Sequence, residues 1–316
     1  MEDRIRLGVS GCLLGQKVRY DGGHQHDRFL TDTLGHYVEY VPVCPEVECG
    51  LMIPREAMRL VGDPADPRLV TRRSGKDYTD QMKNWAALRV QELALEQLDG
   101  FVFKRMSPSS GMARVKVYSE KGMPSNNGVG IFARSFIDHF PHLPVEEDGR
   151  LNDPVLRENF IQRIFVHKRW REMVATAKSR GGLVDFHTSH KLLLLSHSEK
   201  EFREMGRLVA QGKEFSIEEL FRRYEKLLMS ALGKKSTVKK HTNVLSHIFG
   251  YFKNDLSAVE KREVIDILEQ YHRGMIPLIV PLTLLKFFTK KFNQEYLANQ
   301  YYLNPHPLEL KLLNHA

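Results

Sequence analysis

The chain has 316 residues and a mass of 36.6 kDa, a length that suits two domains. Hydrophobic residues make up 42% and charged residues 27%, ordinary globular values that exclude long-range disorder and collagen-like repeats. Lys plus Arg outnumber Asp plus Glu by 47 to 39, and the net charge of +8 favours polyanion partners without bearing on fold.

The opening Met1-Glu2-Asp3-Arg4-Ile5-Arg6 is charged and has no apolar run, so no secretory signal is expected. Residues 5–9 predict a strand, followed directly by Ser10-Gly11-Cys12. Residues 37–43 predict a second strand, followed directly by Cys44-Pro45-Glu46. Between residues 78 and 98, Met82, Trp85, Leu88 and Leu93 recur at helical spacing, and Gly100 is a fitting stop. Residues 101–103 predict a short buried strand leading into Ser107-Pro108-Ser109-Ser110-Gly111, and 131–139 predict a helix. Strands separated by helices imply an α/β fold with a Rossmann-like parallel sheet. Residues 144–150 are polar and punctuated by Pro and Gly, so they are expected to be a hinge between domains 1–148 and 149–316.

The second half predicts helices over 153–178, 183–210, 215–232, 238–252, 256–273 and 282–299, an all-α C-terminal bundle. Asp153-Pro154 and Ser216-Ile217-Glu218-Glu219 have the composition of helix starts. The longest apolar stretch, 275–285, is broken by Pro277 and Pro281 and is too short to span a bilayer. No membrane partner is expected. The charge is unevenly divided: residues 1–150 hold 20 basic and 21 acidic side chains, and residues 151–316 hold 27 and 18. The second half therefore carries the positive excess, +9 against −1.

Three cysteines, Cys12, Cys44 and Cys49, cannot close a disulfide framework, and a reduced, cytoplasmic protein is expected. In a parallel sheet, the loops after the three predicted strands meet at the carboxyl edge, where ligands bind. Thiols, a carboxylate and several hydroxyls would then share one cleft. Thiolates suit iron–sulfur clusters, zinc or copper(I). A cluster held by three cysteines leaves one iron open as a Lewis acid. Two other readings stay open: each cysteine is a small buried hydrophobe, or a structural zinc site recruits His24 or His26.

Ser10-Gly11-Cys12-Leu13-Leu14-Gly15, Val18-Arg19-Tyr20-Asp21-Gly22-Gly23, Cys44-Pro45-Glu46-Val47 and Pro54-Arg55 together resemble the TudS-like thiouracil desulfidase family. Ser107-Pro108-Ser109 with Gly111 and Arg114-Val115-Lys116 extends the resemblance, which covers about residues 5–145. Residues 151–316 look like the helical YbgA-type domain through Asp185-Phe186-His187, His190-Lys191-Leu192, Lys240-His241-Thr242-Asn243-Val244-Leu245 and Tyr301-Tyr302-Leu303-Asn304-Pro305. The fused arrangement is similar to RudS-type desulfidases, which act on 4-thiouridine in tRNA.

The resemblance implies a 4Fe-4S cluster held by three cysteines, whose open iron receives the sulfur of a thiocarbonyl. It maps two of them to Cys12 and Cys44. The third family cysteine falls in the Ser-Pro-Ser loop, where this chain has Ser110. Cys49, five residues beyond Cys44, is the expected replacement; the alternative is a two-cysteine site that holds no stable cluster. Glu46 is the expected general base, and Ser107 is expected to hold or protonate the pyrimidine. A surface carboxylate and a turn-capping serine are the plainer readings of these two.

For tRNA binding the candidates are Lys168, Arg169 and Arg171, which interleave with Trp170, and the cluster Lys234, Lys235, Lys239 and Lys240. A solvated helix face is the plainer reading of such runs. The expected activity is desulfidation of 4-thiouridine in tRNA. Free thiopyrimidines or their nucleotides are the nearer alternative, and a non-catalytic nucleic-acid adaptor is the more distant one.

Overall fold

The structure, a computed structural model, describes residues 4–307 and residue 310. The chain forms two compact units, residues 1–152 and 153–316. The boundary lies four residues beyond the expected one, and the ends of both expected domains run past the described residues.

The N-terminal unit contains eight strands and three helices among the described residues. In chain order they are β1 (Ile5–Ser10), β2 (Val38–Val43), α1 (Pro45–Glu48), β3 (Met58–Val61), β4 (Arg68–Thr71), α2 (Thr79–Leu95), β5 (Gly100–Phe103), β6 (Val115–Tyr118), β7 (Pro124–Gly128), α3 (Ile131–His139) and β8 (Val145–Glu147). The main sheet runs β2-β1-β5-β8 and is parallel throughout. Its central strands are apolar on both faces, as buried parallel strands must be: Leu7, Val9, Phe101, Val102 and Phe103 are all buried. Helices α2 and α3 supply Ala86, Val90, Leu93, Phe132 and Phe136 to the core against β5. The register pairs Ser10 with Val43 and Val9 with Val102, so β1, β2 and β5 end side by side.

A second sheet, β4-β3-β6-β7, was not expected from the sequence. Its strands are four or five residues long, and β7 (Pro-Ser-Asn-Asn-Gly) has the composition of a turn. The expected hinge is also corrected: residues 145–147 are β8, an edge strand of the main sheet. Glu146, Glu147 and Asp148 are buried there because each carboxylate has a partner. Glu146 pairs with Arg150, Glu147 accepts the Met112 N–H (3.0 Å), and Asp148 accepts the Arg105 N–H (2.7 Å) and pairs with Lys104.

The C-terminal unit is helical: α4 (Pro154–Thr176), α5 (Arg180–His197), α6 (Glu199–Ala210), α7 (Ile217–Leu232), α8 (Val238–Gly250), α9 (Ala258–His272), α10 (Ile279–Lys291) and α11 (Glu295–Ala298). Asp153 and Ser216 cap α4 and α7 with their side chains, as their composition predicts. The single helix expected over 183–210 is two, because Ser198 takes an extended conformation between α5 and α6. The stretch 282–299 likewise ends one helix and starts another, with Asn293 at positive φ between them. Leu192, Leu194, Tyr224, Leu228, Val244, Ile248, Phe252 and Leu285 lie in one core. Among the described residues no helix is long and apolar enough to cross a membrane.

Candidate functional site

The aligned ends of β1, β2 and β5 open onto a cavity of about 340 Å³. Three loops line it. The first, after β1, supplies Ser10 and Cys12; the second, after β2, supplies Cys44 and Glu46; the third, after β5, supplies Lys104, Ser107, Ser109 and Ser110. The carboxyl edge of a parallel sheet is where such a cleft belongs.

Each loop is fixed locally. Cys44 stands at the N-cap of α1, where its N–H donates to Glu48 Oε1 (2.6 Å) and Pro45 starts the turn. The third loop is tied to β1 through the Lys104 N–H and Ser10 Oγ (2.9 Å). It is tied to β8 through Asp148, which holds both Lys104 and Arg105. Its serine-rich part lies on the start of α3, where Ile131 and Ala133 donate to the carbonyls of Pro108 and Ser109. Gly130 permits that approach: a Cβ there would come 2.6 Å from the Ser109 backbone.

Glu46 is the hub of the cavity wall. Arg55 donates to Oε2 through Nε (2.9 Å) and Nη2, and Ser109 Oγ donates to Oε1 (3.0 Å). Ser107 Oγ lies 2.9 Å from Ser109 Oγ and accepts the Ser110 N–H (3.1 Å). Because the Ser109 proton points to Glu46, Ser107 donates to Ser109. The order Ser107, Ser109, Glu46, Arg55 is thus a directed hydrogen-bond chain between two loops. Ser109 is only 1% exposed. Sequence reasoning found Ser107 and Glu46 and missed Ser109 between them, which reads as one more turn serine. It also missed the role of Arg55, whose only signal was its place after Pro54.

The cysteines divide. Cys12 and Cys44 both line the cavity. Burial pushes Cys12 up to about 11, against the pull of Lys104, and burial also raises Cys44. Cys49 does not line the cavity. It caps the end of α1 and packs with Leu51, Met58, Leu60 and Met82, its Sγ donating to the Glu46 carbonyl (3.3 Å). Ser110, in the loop where the resemblance would put a thiol, does line it. Among the described residues no three His, Cys, Asp or Glu side chains are placed to hold one metal ion. The cavity as built offers two thiols, with the Ser110 hydroxyl in place of a third, which do not make the three-thiolate set. His24 and His26 are exposed and take no part; His26 Nε2 meets Thr31 Oγ1 (2.9 Å).

The cavity is strongly cationic for a domain of nearly neutral charge. Arg19, Arg55, Arg72, Lys104 and Arg105 line it against one carboxylate, Glu46. Arg55 and Lys104 are held in ion pairs with Glu46 and Asp148, and Arg19 lies 3.7 Å from Asp21. Among the described residues the side chains of Arg72 and Arg105 have no carboxylate partner.

In the helical unit the expected nucleic-acid residues do not form one surface. Trp170 is buried, stacked on Tyr224 at 5.3 Å and donating to Glu225 (3.1 Å), so it cannot stack on a base at the surface. Arg169 turns inward onto Tyr301, while Lys168 pairs with Glu172 (2.7 Å) and Arg171 is half-buried. Lys234 pairs with Glu201, and Lys240 donates to the His197 carbonyl (2.6 Å). Lys235 and Lys239 remain exposed and unpaired among the described residues.

An open parallel sheet with thiols, a clamped carboxylate and hydroxyls lining a cavity at its carboxyl edge defines a Rossmann-like domain. Residues 7–148 match the family described as 2-thiouracil desulfurase, and residues 191–307 match a family described as a protein of unknown function, DUF1722. The chain is 28% identical over 151 residues to the uncharacterized protein YbgA of Escherichia coli (strain K12), a match covering 48% of this chain and 89% of that protein. It is 27% identical to a solved structure titled [4Fe-4S]-dependent thiouracil desulfidase TudS, covering 48% of this chain and 95% of that one with a TM-score of 0.39. The chain is thus similar to 2-thiouracil desulfurases over residues 7–148 and to the DUF1722 family over residues 191–307.

Proposed function

We propose that the N-terminal domain removes sulfur from a thiolated pyrimidine, and that its substrate is 4-thiouridine in tRNA. The carrying observation is the convergence of Cys12, Cys44, Glu46 and Ser107 on one cavity. In the net reaction water enters, C=S becomes C=O, and hydrogen sulfide leaves. Glu46 takes the proton of the attacking water; a carboxylate has lone pairs left after its bonds to Arg55 and Ser109. Ser107 holds the ring, and the proton Glu46 has taken returns in two hops through Ser109 to Ser107, which gives it to the departing sulfide. The cationic lining favours a phosphate-bearing substrate over a neutral free base, because Arg72 and Arg105 are left to meet phosphate.

A 4Fe-4S cluster would be held by Cys12 and Cys44, thiolates being the ligands soft iron sites prefer, and would need a third thiolate that the cavity lining does not supply. Cys49 supplies the third thiolate only if its Sγ leaves the apolar cluster. Iron and sulfide are to be counted after anaerobic reconstitution of the parent, Cys49→Ala and Ser110→Cys. About four irons in the parent, lost in Cys49→Ala, support the relocated ligand. Sulfide release is then compared between thiolated tRNA and free 4-thiouridine. Iron retained only by Ser110→Cys, with no sulfide from the parent, would replace catalysis by a non-catalytic nucleic-acid-binding role.

A further inference from the structure

Two large apolar side chains stand exposed on the wall of the N-terminal cavity, and the proposed reaction uses neither. Tyr20 is 42% exposed and Met106 is 54% exposed, and both line the cavity. They come from different loops. Tyr20 belongs to the Val18-Arg19-Tyr20-Asp21-Gly22-Gly23 motif between β1 and β2, and Met106 directly precedes Ser107 after β5.

Tyr20 is fixed by its backbone and open at its ring. Its carbonyl accepts the Arg55 N–H (2.8 Å), which ties the turn to the residue that clamps Glu46. The Arg19 guanidinium lies 5.6 Å from the ring centre, near the outer range for such contacts, and itself stands 3.7 Å from Asp21. Among the described residues the ring meets no other ring and the hydroxyl has no hydrogen-bond partner. Ile53 extends the apolar surface beside this turn, its Cγ2 4.0 Å from where a Cβ on Gly22 would stand.

Met106 is held at φ 59°, a left-handed conformation that is costly for a residue with a side chain. An exposed apolar side chain gains nothing from that strain in the free protein, so the strain points to a bound partner. Its Sδ lies 3.7 Å from Arg105 Nη2, and the Arg105 stem runs over Gly149, where a Cβ would come 2.2 Å from Arg105 Cδ. This side of the rim thus offers a thioether beside a guanidinium that has no carboxylate partner among the described residues. The cavity, about 340 Å³, is at the small end of ligand sites and has room for one nucleotide. The neighbours of a target carried in a chain therefore lie outside it, against the rim.

We propose that this rim seats the nucleotides flanking the target in a single-stranded stretch of RNA. Tyr20 and Met106 each pack on one neighbouring base, and Arg105 meets the phosphate that joins one neighbour to the target. Bases stack on aromatic rings whatever their sequence, and a thioether packs well on a π-face. The inference rests on the reading above, that the cavity takes a thiolated pyrimidine with its phosphate. It puts a preference for polynucleotide in the N-terminal unit itself, apart from the basic helices.

The test is calorimetric titration of the full chain with uridine monophosphate and with a trinucleotide of uridine, neither of which carries sulfur to turn over. The proteins are the parent, Tyr20→Ala, Tyr20→Phe, Met106→Gly and Leu95→Ala, the last removing an exposed apolar side chain from α2. In the parent the trinucleotide should bind about tenfold or more tighter than the monophosphate. Tyr20→Ala and Met106→Gly should each weaken the trinucleotide about tenfold and leave the monophosphate within about twofold. Tyr20→Phe keeps the ring and should bind as the parent does, as should Leu95→Ala. Glycine suits the left-handed backbone at position 106, so the melting temperature of Met106→Gly should not fall, and its lost binding is not lost fold. A preference for the trinucleotide that survives one substitution removes that residue from the rim, and one that survives both overturns the proposal. Equal affinities for the two ligands, binding of neither, or equal losses for both in Tyr20→Ala and Met106→Gly also overturn it. No sulfide from thiolated RNA, with the trinucleotide preference intact and sensitive to both substitutions, overturns the reaction and leaves the rim.

Discussion

Ser109 shows how one small side chain can join two loops. It stands between Ser107 and Glu46, 63 positions from the latter, and both of its Oγ contacts are within 3.0 Å. Ser109→Ala keeps both ends and removes the link. Sulfide release should fall on the order of 10²-fold, the lower range for losing a general acid–base contribution, with iron content unchanged. Ser109→Thr should recover part of it, and an alanine variant as active as the parent would eliminate the proton route. Ser107 and Glu46 were legible in the sequence because Glu46 follows Cys44 in a motif and Ser107 opens another. The middle was not, since nothing local separates a relay serine from a turn serine. Cys49 teaches the converse. Its spacing from Cys44 allowed it to reach the same ligand, but the single turn of α1 carries it round to the apolar side.

At the scale of elements, α4 carries a pH response. Glu158 is buried, and burial raises its pKa to about 8. Its neutral form is the one the fold favours. Glu158 therefore adds stability fully below its unfolded value, near 4.5, and that contribution is lost as pH rises towards 8. Each tenfold difference in proton affinity between folded and unfolded chain is worth ~1.4 kcal/mol, so the loss amounts to a few kcal/mol across this window. Denaturant melts of the parent and Glu158→Gln from pH 4.5 to 8.5 should show a slope in the parent that the glutamine removes; parallel curves would assign the slope elsewhere. Long elements with one dominant period (β1, α2, α3) were readable from the sequence alone. The acidic run 146–148 was not. Three adjacent carboxylates look solvated, and only Arg150 and the N–H groups and lysine of the segment after β5 make their burial favourable.

Over the whole molecule the charge division has a measurable consequence. If tRNA is bound through the helical half, affinity should fall linearly on a log–log plot against salt. Lys235→Gln with Lys239→Gln removes two exposed, unpaired cations and should flatten that slope by about one for each phosphate no longer neutralised. An unchanged slope would remove these lysines from the interface. By itself the sequence determined the two-domain division, the parallel sheet and the three loops that carry thiols, acid and hydroxyls. These rest on periodicity and short motifs, which are properties of neighbouring residues. Only the tertiary structure decided which thiols face the cavity, that Arg169 and Trp170 turn inward, and that a polar run is a strand. Burial and pairing depend on partners tens of residues away, such as Tyr301 for Arg169, and their positions exist only once the chain has folded.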